Sequence, residues 1–118
     1  MTEGDTDTVF LPRQLDLLNL LGYHHLQHGN PERALVIFDA IHSLRPEDSK
    51  VILSLACAQL RCNQPEAAIS VLASLPQKNQ DDALAWLFRG QALMQTGRVA
   101  EGARAMRLFI RKRNIDKI

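Results

Sequence analysis

Residue types that often mark a function are scarce in this chain. Its 118 residues include only two cysteines, one tryptophan, one tyrosine and four phenylalanines. Cys57 and Cys62 lie five positions apart in one expected helix, which does not suit a disulfide, so a reducing cytoplasmic setting is expected. No stretch approaches the roughly 20 apolar residues that a membrane-spanning helix needs, so we expect no stable membrane insertion.

The net charge of the chain is too small to indicate a class of binding partner. There are 14 basic and 13 acidic residues, for a formal net charge of +1. This balance does not favour nucleic acid or an anionic membrane as the main target. Residues 1–8 carry three acids and no base, so they cannot be a secretory signal, which requires a basic start and an apolar core. We interpret residues 1–11 as a disordered N-terminal leader.

Motifs for catalysis are also missing. The sequence has no glycine-rich phosphate loop, no HExxH and no GxSxG, and its cysteines lack CxxC spacing. His24 and His28, on either side of His25 and one helical turn apart, could share an ion, but no third ligand is close in the sequence. We therefore predict no catalytic residue, no metal and no cofactor.

What the chain does contain is an internal repeat. Turn-forming residues recur at one constant spacing as Gly29, Asn63 and Gly97, where a left-handed backbone is expected. Small residues recur at the same spacing where two helices must approach closely, and large apolar residues recur where they enter the next layer. The residues predicted to pack the repeats are Gly22, Ala34, Phe38, Ala56, Ala68, Leu72, Trp86, Gly90, Gly102 and Met106.

Prolines agree with this period. Pro31 and Pro65 follow the turn residues by two positions and suit the start of a helix, whereas Pro46 and Pro76 end apolar runs. Ser49, and Asp81 or Asp82, are candidate caps for the helices that follow. We predict an all-α chain without strands, with helices near 12–28, 31–44, 48–62, 65–75, 81–96 and 99–112.

With this pattern the chain resembles tetratricopeptide repeat (TPR) proteins. The first repeat has Leu21-Gly22, Ala34, Phe38 and Pro46 at signature positions, and the third adds Trp86 and Gly90. The resemblance implies three tandem helix-turn-helix repeats that form a short superhelical solenoid. It also implies a protein-interaction scaffold rather than an enzyme. The expected domain is 12–113, with repeats of about 15–48, 49–82 and 83–116 and a tail at 114–118.

In a TPR stack the first helix of each repeat lines the concave groove. The groove positions predicted to bind a partner are mostly apolar, which favours a helical or extended apolar segment as the ligand. They are Tyr23, Leu26, Leu53, Cys57, Leu60, Leu84, Leu87 and Met94. Tyr23 and Met94 are the expected anchors, while the alternative is that some of these residues simply pack between repeats.

The groove lacks the cations that TPR co-chaperones use to hold the carboxyl tails of Hsp70 or Hsp90. At the matching positions this sequence has Asn19, Tyr23, Ser54, Leu84 and Phe88. Because a terminal carboxylate would be desolvated there without compensation, that branch of the family is not expected.

The last predicted helix is apolar on one face and basic elsewhere. Phe109 and Ile110 lie among Arg107, Arg111 and Arg113, and no further helix is expected to cover them. A cationic last turn also complements the helix dipole, so we interpret the basic face as solvated rather than as a nucleic-acid site. A partner helix or a second copy in a homodimer is expected to cover the apolar edge.

Within the TPR proteins, the chain is most similar to the SctY (YscY) family of bacterial type III secretion chaperones. The specific residues are Arg13-Gln14, Glu32-Arg33-Ala34 and Asp39-Ala40, with support from Trp86-Leu87 in repeat three. The resemblance implies a cytoplasmic chaperone that keeps a small secreted partner, an SctX-like protein, soluble and delivers it to the export gate at the inner membrane. The alternative is a general TPR adaptor or regulator.

Overall fold

The computed structural model describes residues 12–116, where left-handed turns recur at the period of the sequence. Gly29, Asn63 and Gly97 have φ values of 76°, 60° and 83°. This region of φ is strained for residues with a Cβ, least so for asparagine, which explains why these residue types recur. Pro31 and Pro65 then begin the next helix, at a position whose N–H would have no partner in the helix.

Within residues 12–116 the chain forms six α-helices, one short 3-10 helix and no strand. The prediction of an all-α fold built from tandem helical hairpins is confirmed. The helices are α1 Pro12–Gln27, α2 Pro31–Leu44, α3 Ser49–Arg61, α4 Pro65–Ala73, the 3-10 helix Gln77–Asn79, α5 Ala83–Gln95 and α6 Val99–Asp116.

Several helix boundaries differ from the predicted ones by a few residues, and side-chain caps account for two of these differences. At α3, Asp48 rather than Ser49 is the N-cap, since its Oδ1 accepts the Lys50 N–H at 3.0 Å. At α4 the helix ends at Ala73 because the amide of Gln80 caps it. The Gln80 Nε2 donates to the carbonyl of Ala73 at 3.2 Å and to that of Leu75 at 2.8 Å.

The C-terminal end also differs from the expectation. Helix α6 continues to Asp116, beyond the predicted helix end near residue 112. The predicted leader, residues 1–11, lies outside the described residues. None of the helices in the described part is long and apolar enough to cross a membrane.

The helices stack in order along an elongated molecule that measures 54 × 29 × 23 Å. Pairs α1–α2, α3–α4 and α5–α6 are hairpins, α2 packs on α3, α4 packs on α5, and α3 also contacts α5. The core consists of two clusters, one between repeats one and two and one between repeats two and three. Each cluster therefore joins two repeats, and no repeat has a core of its own.

Close helix approach depends on glycine in the first and third repeats. A Cβ added at Gly22 would lie 2.7 Å from the ring of Phe38, which is fully buried. In repeat three a Cβ on Gly90 would lie 2.8 Å from the Met106 sulfur. The equivalent residue of repeat two is Ala56, which is fully buried. The sequence pattern of small residues therefore corresponds to close helix crossings.

Candidate functional site

Helices α1, α3 and α5, the first helices of the three hairpins, line one face of the solenoid, which we call the groove. Its centre is a cavity of about 190 Å³. All three helices contribute to this central cavity, so it exists only when the three repeats are stacked. Its walls are formed by Tyr23, Leu26, Lys50, Leu53, Ser54, Cys57, Leu84 and Phe88.

One wall of the central cavity is held in place by a chain of contacts that starts in the core. The ring of Tyr23 packs edge-on against Phe38, with ring centroids 5.3 Å apart and an interplanar angle of 66°. Its hydroxyl lies 2.5 Å from the Ser54 Oγ. Because Ser54 donates its own proton to the carbonyl of Lys50 at 2.9 Å, Tyr23 is the donor to Ser54. The tyrosine is therefore positioned before any ligand arrives.

The thiol of Cys57 forms part of the apolar lining. Burial raises the pKa of this thiol above its ordinary value, and the positive charge of Arg61 only partly opposes that effect. A raised pKa keeps the group protonated near neutral pH, where the thiolate would be the reactive form. Cys57 therefore contributes a small, neutral thiol to the apolar lining.

Polar groups lie at the edges of the groove. Lys50 is exposed and borders the central cavity. At the far end, the Arg61 guanidinium donates to the carbonyl of Leu26 at 2.6 Å and so ties α3 to the end of α1. Gln95 reaches the carbonyl of Leu60 at 3.5 Å in the corresponding place one repeat later. The arrangement is an apolar cavity with a cationic edge, suited to an amphipathic segment.

The comparison with known families agrees with this architecture. The family model described as "Tetratricopeptide repeat" matches residues 25–92, more than half of the chain. The chain belongs to the tetratricopeptide repeat family. A search of curated proteins found no match. Protein–protein interaction is the general role of TPR domains.

The structure separates the predicted partner-binding residues of this TPR groove into two groups. Tyr23, Leu26, Leu53, Cys57 and Leu84 come together around the central cavity. The others do not line it: they are Leu60, Leu87 and Met94.

Two of these leucines occupy the same position in successive repeats and are mainly core residues. Leu26 and Leu60 are each only 6% exposed, since the last turn of a first helix faces its own second helix. Leu26 still borders the cavity, but Leu60 packs in the core cluster with Leu72. The expectation that Leu60 faces a partner is therefore corrected.

Met94 and Leu87 also lie away from the central cavity. Met94 packs on α6, where its Cγ would lie 3.0 Å from a Cβ on Gly102, and it is 39% exposed. Leu87 is half-buried on α5. The expected role of Met94 as a second groove anchor has no support in this geometry, because its side chain fills the space that Gly102 leaves open.

Three cavity residues were not among those predicted to bind a partner: Lys50, Ser54 and Phe88. Helical spacing is the signal that could have found them. Lys50 lies three residues before Leu53 and Phe88 lies four residues after Leu84, so each shares a helix face with a predicted groove residue, and Ser54 lies four residues after Lys50.

The structure places Trp86, which is among the residues predicted to pack the repeats, outside both core clusters. It is half-buried, and its Nε1 donates to the Asp81 carboxylate at 2.7 Å while the Arg89 guanidinium lies 4.8 Å from the ring centroid. Arg89 in turn donates to the backbone carbonyl of Gln80 at 2.7 Å, and Lys112 lies 3.2 Å from Asp81. Trp86 therefore belongs to a polar network that joins α5, α6 and the end of α4.

The other predicted packing residues are placed as follows. Ala34, Phe38, Ala56, Ala68 and Leu72 are fully buried. The three glycines of the set, Gly22, Gly90 and Gly102, are buried, while Met106 is half-buried.

The histidines on α1 lie close to one another. The rings of His24 and His28 have centroids 4.2 Å apart, and the His28 Nδ1 lies 2.8 Å from the carbonyl oxygen of His24. Among residues 12–116 there is no group of three or more His, Cys, Asp or Glu side chains placed to hold an ion.

Proposed function

We propose that this protein is a cytoplasmic chaperone of a bacterial type III secretion system. Its client is a small export substrate of the SctX kind, which it keeps soluble and helps to deliver to the export gate at the inner membrane. The observation that carries the proposal is the preformed apolar cavity shared by α1, α3 and α5. The sequence resemblance to SctY chaperones supplies the client class.

The cavity supports a helical client with one bulky apolar anchor. About 190 Å³ accommodates the side chain of a leucine, methionine or phenylalanine. Burying such a side chain is worth about 1.5–3 kcal/mol, and flanking apolar contacts along the groove add to this. Because Tyr23 is already positioned by Phe38 and Ser54, little ordering cost falls on that wall when the client binds.

The mechanism requires no chemistry and no cofactor. An amphipathic helix of the client would self-associate if it stayed exposed in the cytoplasm, and the groove replaces that contact with its own apolar surface. The edge cation Lys50 favours a client helix with an acidic residue beside its anchor. Release at the export gate then needs only a competing surface.

The test compares two leucines of equal exposure. Leu84 and Leu44 are each 48% exposed, but only Leu84 lines the central cavity. When the protein is co-expressed with its SctX-like client, we expect Leu84→Glu to abolish co-purification and Leu44→Glu to leave it intact, because only the first places a carboxylate against the buried anchor. Equal binding by both variants would exclude the groove as the client site.

A general TPR adaptor or regulator is the second candidate, and the family match supports a protein-interaction role of this general kind. The groove is not suited to the Hsp70 and Hsp90 tails, because Tyr23, Leu84 and Phe88 stand where those co-chaperones carry polar or cationic groups. Client binding distinguishes the two functions. A chaperone should gain thermal stability with the SctX-like client in proportion to the logarithm of its concentration, whereas an unrelated adaptor should show no shift.

A further inference from the structure

The two ends of the solenoid expose the two halves of a contact that the chain makes twice inside itself. In the first contact, Val51 and Ala58 of α3 are fully buried in one cluster with Phe38 and Ile41 of α2. The second contact lies one repeat further along the chain.

In that second contact Ala85 and Ala92 of α5 are buried in one cluster with Leu72 of α4 and with Leu75, which follows the end of α4. Equivalent positions of the repeat therefore form both contacts between neighbouring repeats, which we call the internal junctions. In each of them, a first helix covers the preceding hairpin.

Helix α1 has residues at the equivalent positions, but nothing in the described part of the chain packs against them. The positions one repeat before Val51, Leu55 and Ala58 are Leu17, Leu21 and His24. Leu17 is 65% exposed and Leu21 is 45% exposed, whereas Val51 is 0% and Leu55 is 1% exposed. We call these three positions of α1 the leading face.

The last hairpin carries the other half. Met94 is 39% exposed, although its counterparts Leu26 and Leu60 are each 6% exposed. Phe109 is half-buried at the position where Ile41 and Leu75 are buried, and the adjacent Ile110 is 48% exposed. We call Met94, Phe109 and Ile110 the trailing face.

We propose that a second copy of this chain docks its leading face on the trailing face, so that α1 packs on α6 as α3 packs on α2. The support is continuity with an existing interface: both halves are carried by one chain in the register of the two internal junctions. The contact is heterologous, because different patches meet, and it extends the solenoid from one copy into the next.

The junction between copies differs from the internal ones at His24. This histidine stands where α3 and α5 have Ala58 and Ala92, so the docked helix must shift to admit the imidazole. The trailing face has a flexible methionine, Met94, where the internal junctions have leucine, and methionine adapts to irregular surfaces. The contact lies at the ends of the stack and leaves the central cavity open.

The experiment uses one variant for each face of the full-length chain. Leu17→Glu with Leu21→Glu disables the leading face, and Phe109→Glu with Ile110→Glu disables the trailing face. Val36→Glu is the control, because Val36 is 70% exposed but belongs to neither face. Sedimentation equilibrium measures the mass of each protein over a range of concentrations, and circular dichroism verifies that each remains helical.

The wild type and Val36→Glu should show a mass that rises with concentration to roughly twice the monomer mass and beyond, since a heterologous contact need not close. Each face variant alone should remain monomeric, and an equimolar mixture of the two should form a dimer, because one intact leading face meets one intact trailing face. A wild type that is monomeric at every concentration would overturn the proposal. So would a trailing-face variant that still dimerises alone, because the contact would then join two leading faces.

Should a face variant lose its helical content, the single substitution Leu17→Glu replaces the double one, since Leu17 has the larger exposed fraction. It is expected to lower self-association at least tenfold by placing a carboxylate in the contact. Unchanged association of a folded Leu17→Glu protein would contradict the proposal.

Discussion

In repeat one the ring of Phe38 is fully buried against Gly22, whereas in repeat three the equivalent Met106 lies half-buried against Gly90. Phe38 and Met106 occupy the same position of the repeat, and each lies close to a glycine of the preceding helix. What differs is the cover, because repeat two packs over Phe38 and nothing in the described chain packs over Met106. Repeat one, the covered layer, therefore has a rigid aromatic ring at this position. Repeat three, the open layer, has flexible methionine side chains, which adapt to irregular surfaces.

The largest expected effect comes from truncating the two large residues. Phe38→Ala should lower the free energy of unfolding by about 3–5 kcal/mol, because it leaves a cavity between two repeats. Met106→Ala should cost only about 1–2 kcal/mol, because the side chain is already partly in water. Urea unfolding followed by circular dichroism measures both. Equal losses would mean that the open layer is as tightly packed as the covered one.

A smaller difference is expected at the glycines. Gly22→Ala places a methyl group against a buried ring that cannot move, so it should destabilise the protein by about 1–3 kcal/mol despite the better helix propensity of alanine. Gly90→Ala meets the Met106 sulfur, at the flexible end of a half-exposed side chain. It should change stability by less than about 1 kcal/mol, because the helix propensity gain of alanine offsets the contact. Thermal unfolding of the two variants compares the layers, and a larger loss at Gly90 would reverse the comparison.

The smallest effect concerns the polar network of repeat three. The Trp86 N–H, and after it Lys112, lower the pKa of the Asp81 carboxyl below its ordinary value. A lowered pKa in the folded state means that the ionised carboxylate stabilises the protein at neutral pH. This stabilisation is lost as the pH falls through the folded-state pKa of Asp81.

Asp81→Asn should therefore lower the midpoint of urea unfolding slightly at pH 7, and the difference from the wild type should shrink towards pH 3. Asp16→Asn is the control, since Asp16 is exposed on α1, away from repeat three. A difference between wild type and Asp81→Asn that grows on acidification would contradict this assignment.

The stacking of helices could be predicted from the sequence because its cause is local. Gly29, Asn63 and Gly97 tolerate the left-handed turn, and the prolines two positions after Gly29 and Asn63 suit the first position of a helix. The early end of α4 could not be predicted. It depends on Gln80, whose side chain returns to cap carbonyls five to seven residues earlier.

Burial in the groove could be predicted only in part, since one repeat position has different surroundings in each repeat. Leu60 and Met94 occupy the same register, yet Leu60 is 6% exposed and Met94 is 39% exposed, because repeat three follows repeat two and nothing described follows repeat three. Trp86 shares its register with the fully buried Ile52, but hydrogen bonding to Asp81 and stacking with Arg89 keep it at the surface.

The positions of Trp86 and Tyr23 give the molecule two separate optical reporters. The chain has one tryptophan, in repeat three, and one tyrosine, in repeat one. Tryptophan emission therefore reports on the terminal hairpin, tyrosine absorbance on the first, and far-ultraviolet circular dichroism on all helices together. Coincident melting curves would show that the three repeats unfold as one unit, and an earlier tryptophan transition would show that the chain opens from its last hairpin.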